Sequence, residues 1–419
     1  MRSGHLPTVS RRLTRPRPLG GLTSLGRSPL GAVMLVALAV VIGVTIVGLV
    51  RLWPSGGVKH SSALVSTKTV AAEVTSVNQV ECSVQVAGQA GCQVVTVKIL
   101  EGSDEGVMSR LLVSGVSGPA TVESGDRVRV FKTPPPPPGT EVTEQLPPYS
   151  FADFDRRAPM LWLGIAFVLL LLVTGRFSGA RALVGLATSL LVLLKFVVPS
   201  ILEGNSPVEV ALIGSFAVLL VTIPVCYGIG PKAIAAWLGT AVSLLIAVEL
   251  ASAFVDRTHL SGASSEEAIF LSSYNSGVSL HGLLLAGMIV AALGVLCDLT
   301  VSQASTVIAL RGANPSLGVA GLFRGALDVG HDHIAATVNT LVFAYAGASL
   351  PVLLIFSMGG TAFTDAINSE AVAEEVVATL IGSIGLILSM PITTGLAALL
   401  AVRMPERQLA AAAHAGHAH

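Results

Sequence analysis

The chain has 419 residues, of which 52% are hydrophobic and only 12% charged, about half the charged share of an ordinary soluble domain. Its formal net charge is zero, so no basic field argues for nucleic acid as a partner. Apolar residues fall in blocks of roughly 20, the length a helix needs to cross a bilayer core, which excludes a plain soluble fold and makes the lipid bilayer the first partner.

Residues 1–29 hold Arg2, Arg11, Arg12, Arg15, Arg17 and Arg27 and no acid. Under the positive-inside rule this end stays in the cytoplasm. The first transmembrane helix lies within 30–54. Its apolar run is longer than the roughly 7–15 residues of a signal-peptide core, and "RLWPSGG" after it offers no clear small-x-small cleavage site. It reads as an anchor.

Residues 55–133 are polar and rich in Val, Thr and Gly, with period-2 runs. "TKTVAAEVTSV", "ECSVQV", "CQVVTVKIL" and "DRVRVFK" read as short strands separated by the turn signals "AGQAG", "LEGSDEG" and "VESGD". About five or six such strands make a small extracytoplasmic β domain, barrel-like in the manner of OB-folds; a sandwich fits the same pattern. Cys82 and Cys92 flank a turn, so a hairpin brings them within disulfide range in a compartment that favours the bond. Residues 134–157 begin with five prolines, Pro134 to Pro138, a stiff polyproline II strut. They end in "YSFADFDRR", whose aromatics and arginines suit a membrane interface. A domain mounted this way is a candidate dock for an extracytoplasmic protein partner.

Residues 158–404 read as seven more spans, at about 158–175, 181–200, 207–227, 232–254, 280–301, 333–357 and 376–402. The fold class is therefore mostly α: a polytopic bundle of about eight spans, with the β domain between spans one and two. Loop charges agree with cytoplasmic N and C termini. The loops expected inside carry Arg176, Arg181, Lys232, Arg311, Arg324, Arg403 and Arg407, whereas those outside carry Glu203, Asp256, Glu266, Glu267, Asp365, Glu370 and Glu374, with Arg257 their one base. Two loops are expected to hold surface helices: "SSEEAIFLSSY", opened by a Ser264–Glu267 capping box, and "NPSLGVAGLFRGALDVG", capped by Asn314 with Pro315 in its first turn. Residues 405–419 are a tail rich in His and Ala, without an assigned role.

Spans six and seven carry the unusual chemistry. The inner end of span six holds Asp298, Ser302, Gln303 and Ser305; span seven opens with Asp328, His331, Asp332, His333, Thr337 and Asn339, and Tyr345 follows. Helical spacing aligns Asp298 with Ser302 and Ser305, and Asp328 with Asp332 and Asn339. Two polar stripes at one depth on successive helices form a candidate intramembrane polar site, with Asp298 and Asp332 expected to meet. Interfacial helix ends also tolerate such groups, and Asp332 suits the positive dipole end of its helix. Yet Asp298 follows an unbroken apolar run, where an ionisable group faces protein or water rather than lipid. His331 and His333 point about 200° apart on a helix and do not share a metal easily. Pro351 and Pro391 free the carbonyls of Gly347 and Ile387 and are expected to kink their spans.

These residues resemble the YibE/F-like bacterial multi-span membrane proteins. The resemblance rests on "GVLCDLTVSQASTV", on "GHDHIAATVNTLVFAYAGASLPVLL" and, less specifically, on "GLATSLLVLLKFVVP". It implies a bacterial plasma-membrane protein whose biochemical role is not established. His331 stands where the family pattern has arginine, and Cys297 where many relatives carry a second acid. No P-loop, GxSxG elbow or HExxH is present, and no cofactor or metal is implied. Three functions remain open, in this order: a transporter or permease for an unidentified small solute or ion; a scaffold or assembly factor acting through the outer β domain; and a membrane-embedded acid/base enzyme using Asp332 and a histidine.

Overall fold

The structure, a computed structural model, describes residues 29–56, 69–80, 92–113, 122–133, 148–274 and 277–404. Two compact units divide the chain, residues 60–171 on one hand and residues 1–59 with 172–419 on the other. The basic N-terminal segment, Cys82, the proline strut and the His-containing tail lie outside the described residues.

In the first unit, strands β1 (Thr69–Val80), β2 (Cys92–Ile99), β3 (Met108–Val113), β4 (Arg127–Lys132) and β5 (Tyr149–Phe154) pair antiparallel in the order β3-β2-β1-β4-β5. Burial alternates along β3 and β4, as a half-buried strand requires. Val74, Val97, Ile99, Leu111, Val128, Val130 and Tyr149 close a common apolar core. A register shift between Val74 and Ser76 marks a bulge, which raises local twist, and β5 also packs on β3. The sheet is therefore curled. β1, β2 and β4 are strands the alternation pointed to, whereas "ECSVQV" falls wholly outside the described residues. "YSFADF", expected at the membrane interface, forms the fifth strand. It pairs with β4 from Tyr149 to Phe154. Cys92 is disulfide-bonded, and Cys226 and Cys297 are free.

The turn after β2 is fastened by Asp104. Its carboxylate accepts from Lys132 Nζ at 2.8 Å, from the Tyr149 hydroxyl at 2.5 Å and from Ser103 Oγ at 3.1 Å. Bonding first to Lys132 and then to Tyr149 holds its pKa at about 2, below the ordinary 3.8. A carboxylate whose folded pKa is depressed stabilises the fold above the unfolded pKa and loses that contribution as pH falls through the folded one. Between pH 3.8 and about 2 the sheet of the full-length protein is therefore expected to become more susceptible to pepsin. Asp104→Asn should remove that pH step; an unchanged cleavage profile in the variant would discard the Asp104 clamp.

The second unit is helical. It contains α1 (Pro29–Leu52), the part of α2 (Arg157–Val192) from Leu172 onward, a π-turn (Leu193–Val197), α3 (Val198–Leu202), α4 (Pro207–Tyr227), α5 (Pro231–Arg257), α6 (Glu266–Tyr274), α7 (Leu280–Ala313), α8 (Val319–Ala348), α9 (Leu350–Met358), α10 (Phe363–Asn368) and α11 (Glu370–Ala401). Among the described residues, six helical stretches are long and apolar enough to cross a membrane, and α8 with α9, bent by 59°, make a seventh if they count as one span. Eight were expected. The difference lies in α2 and α3, where expected spans two and three form one stretch of 46 residues. That stretch is broken at Arg176, whose φ of 46° and ψ of −123° are not helical.

α5, α7 and α11 pack on one another, with α8 against α7 and α11, and α4 against α7. Small residues allow the close approach: Ala235, Ala236, Gly239, Thr240 and Ser243 of α5 are all buried. Carboxylates tie the helix ends. Glu203 accepts from the amides of Ser55 at 2.9 Å and Gly56 at 3.1 Å, joining the ends of α1 and α3. Glu370 accepts from the amides of Ser261 at 2.6 Å and Gly262 at 3.2 Å, fixing the loop after α5.

Both expected surface helices differ in detail. α6 is capped by Ser265, whose Oγ accepts from Ala268 N at 3.1 Å. Ser264 is instead committed to Glu374 Oε2 at 2.6 Å, so the Ser264–Glu267 box does not form. The second surface helix does not exist as a separate element. α7 runs on to Ala313, Asn314 is its C-cap rather than an N-cap, and α8 starts at Val319 and continues without a break into the expected seventh span. Asn314 Oδ1 accepts from Ser316 N and Oγ, the Asx turn that favours a chain reversal over helix initiation. The bend falls later, beside Pro351, while Pro391 sits inside an unbroken α11.

Candidate functional site

The short reversal from Asn314 to Gly318 makes α7 and α8 adjacent antiparallel partners. On α8 the side turned to the bundle is set by apolar spacing. Leu322, Ala326 and Gly330 are buried, and Ile334 and Val338 pack against Leu299, Leu386 and Met390. Asp332 is two residues past Gly330, roughly 200° around the helix. It is exposed, and Asp328, His331 and Asn339 are exposed with it. Asp332 therefore lies off the buried stripe of α8.

Asp298 meets His333. Its Oδ2 lies 3.8 Å from His333 Nε2, with the carboxylate side chain 77% exposed and the imidazole 35%. At that separation the contact is electrostatic rather than a hydrogen bond, and it attracts only when the imidazole is protonated. Below it on α8, Thr337 donates to the carbonyl of His333 at 2.9 Å, and Thr337 and Tyr345 are half-buried. Ser302 is half-buried, and its carbonyl accepts from Thr306 Oγ1 at 3.0 Å.

Gln303 lies one step around α7 from Ser302 and is 2% exposed. Its Oε1 accepts from Thr394 Oγ1 of α11 at 3.2 Å. A methyl group at Gly330 would overlap Gln303 Nε2 and Met390 Sδ, so the glycine is what lets α8 approach this pair. A second cross-helix bond joins Thr240 of α5 to Thr300 of α7 at 2.6 Å. Thr393 is buried against Gly239, and the hydroxyls of Thr393 and Ser243 find no hydrogen-bond partner among the described residues. A polar seam thus runs through the packed α5, α7 and α11, with the Asp298–His333 pair on the α7–α8 side. The role of α11 was missed, although two threonines just after an intramembrane proline, "PITTG", were the signal available. Among the described residues no group of three or more His, Cys, Asp or Glu is gathered as a metal site requires.

A family model described as YibE/F-like protein matches residues 163–403. No curated protein and no solved structure matches the chain.

Proposed function

The chain belongs to the YibE/F-like family, and from that premise we propose that it is a transporter- or permease-like protein of a bacterial plasma membrane whose proton-sensitive element is the Asp298–His333 pair. The family match and the long apolar helices support a membrane protein. Eight spans with both termini cytoplasmic fit best. The 46 residues from Arg157 to Leu202 would extend roughly 70 Å as one helix, more than twice a hydrocarbon core of about 30 Å. The non-helical Arg176 is then the turn between two crossings, at a cytoplasmic loop.

One observation carries the functional reading: a carboxylate and an imidazole on successive long helices approach to 3.8 Å while both side chains keep exposed surface. Intramembrane ionisable groups of this kind mark ion paths and proton relays, and histidine changes charge between about pH 5 and 8. The exposed Asp328, His331 and Asp332 lie on the same helix as His333 and supply further charge at that end. The bend between α8 and α9 adds a broken helix of the sort that lines transporter sites. The solute is a small ion or polar molecule, and the outer β domain serves as dock for an extracytoplasmic protein.

The test is proton entry into vesicles carrying the purified protein and an internal pH dye, under an imposed pH gradient. Wild type should exceed protein-free vesicles at least tenfold, and Asp298→Asn should fall to within twofold of them. Equal rates for wild type and empty vesicles would overturn the proposal.

A further inference from the structure

A cleft of 420 Å³ opens between α2, the π-turn, α4 and α7, within the range of about 300–1,000 Å³ typical of small-molecule sites. It is lined along α4 from Ala211 to Tyr227, a length of about 24 Å, so it runs along the helices through most of a hydrocarbon core of about 30 Å. The lining is overwhelmingly aliphatic. Its polar members are few and sit at defined levels. Ser215 is 2% exposed, and its hydroxyl has no hydrogen-bond partner among the described residues; Cys226, Tyr227 and Cys297 mark one end.

Two cations attend that end. The Arg181 carbonyl accepts from Cys226 Sγ at 3.6 Å, its guanidinium carbon stands 5.4 Å from the Phe177 ring centroid, one guanidinium nitrogen donates to Ser178 Oγ at 3.4 Å, and its buried Nε has no partner among the described residues. Lys232 Nζ stands 5.2 Å from the ring centroid of Tyr227. No carboxylate pairs with either cation among the described residues. Asp298, which follows the lining residue Cys297 in the chain, stands 3.8 Å from His333.

We propose that this cleft holds one acyl chain of an anionic phospholipid, with the phosphate of its head group on Arg181 and Lys232. An apolar channel parallel to the helices matches a chain, and a cationic surplus at one mouth matches an anionic head rather than a zwitterionic one. The proposal needs only a membrane protein and is independent of the transport reading.

Gly294 lines the cleft, and a Cβ there meets nothing within 4 Å, so Gly294→Leu fills the space without disturbing the fold. Gly287 is equally open but lies outside the cleft. Full-length protein is reconstituted in vesicles of phosphatidylcholine and phosphatidylglycerol, re-extracted, and its bound lipid counted by native mass spectrometry. Wild type and Gly287→Leu should each retain one phosphatidylglycerol, and Gly294→Leu should lower its occupancy at least tenfold. Arg181→Gln with Lys232→Gln should lower phosphatidylglycerol at least fivefold and leave phosphatidylcholine unchanged. Four results would each overturn the proposal: no retained lipid in wild type, equal retention of the two lipids, undiminished retention in Gly294→Leu, or a dimer that Gly294→Leu dissociates, which would give the cleft to a second copy.

Discussion

Gly239→Ala is expected to lower the stability of the membrane unit by about 3 kcal/mol, at the upper end of what core overpacking usually costs. A Cβ on Gly239 would overlap Thr393 Oγ1 and would also lie 2.9 Å from Thr393 Cβ and 3.2 Å from its Cα. A hydroxyl can rotate away, but the last two atoms move only with α11 itself. Separating α5 from α11 disturbs the centre of the bundle, because α7 packs on both. The Thr240–Thr300 and Gln303–Thr394 bonds would lengthen with it. The comparison is Gly287→Ala, where a Cβ meets nothing within 4 Å. There the helix should gain about 0.5–1 kcal/mol from the better propensity of alanine. Unfolding of both variants in one detergent under one set of conditions checks the difference. Equal midpoints would mean that α5 and α11 are not held as close as Gly239 implies. Adding Thr393→Ala to Gly239→Ala should recover only part of the loss, since the contacts with Cα and Cβ remain.

The sequence made the helices legible for a plain reason: a run of about 20 apolar residues has few other uses. It was weakest where two elements join. Between Arg176 and Arg181 the basic residues mark a loop by charge, yet the backbone departs from helix at one residue only. Around Asn314 the pattern Asn-Pro-Ser serves equally as a helix start or a chain reversal, and the Asx turn to Ser316 decides for the second. Arg311 reinforces it by donating to the carbonyls of Pro315 and Leu317. Because α8 then begins at Val319 rather than near residue 333, its buried stripe starts from Leu322. With that stripe on the bundle side, Asp332 falls roughly 200° from Gly330, and His333 reaches Asp298.

The candidate site was thus legible as a pair of helices but not as a pair of residues. Spacing identifies which side chains share a face; it does not say which face meets the neighbour. On α8 that choice is made by Leu322, Ala326 and Gly330, three small or aliphatic residues four apart, and a reading centred on the polar residues passed over them. The contribution of α11 was further from reach. Thr393 and Thr394 gain meaning only from Gly239 and Gln303, which are 154 and 91 residues away in the chain. Alternation located three strands of the outer sheet, but β5 shares its aromatic content with membrane-interface segments, and only the register with β4 assigns it.

Exchanging the two charged partners should separate a working pair from two unrelated polar residues. In wild type a protonated imidazole attracts Asp298 across 3.8 Å, and a neutral one does not. Proton entry into vesicles, measured from about pH 5 to 8, the window in which histidine changes charge, should therefore show one pH-dependent step. His333→Gln keeps a polar side chain of similar reach but has no proton to lose, so flux should persist while the step flattens at least fivefold. Asp298→Asn removes the group that both accepts the proton and anchors the helix pair, and should abolish flux altogether. Asp298→His and His333→Asp should each fail singly, the first by placing two imidazoles together and the second by opposing two carboxylates, which repel at this distance. Combined, they restore one acid and one imidazole across the same gap, and the pH step should return to at least a third of its wild-type size. Asp332→Asn, about 100° around α8 from His333, should change none of this. Recovery absent from the exchanged protein, with its unfolding midpoint matching wild type, would dissolve the pair; a flux defect in Asp332→Asn as large as that of Asp298→Asn would move the proton-sensitive element to the outward side of α8.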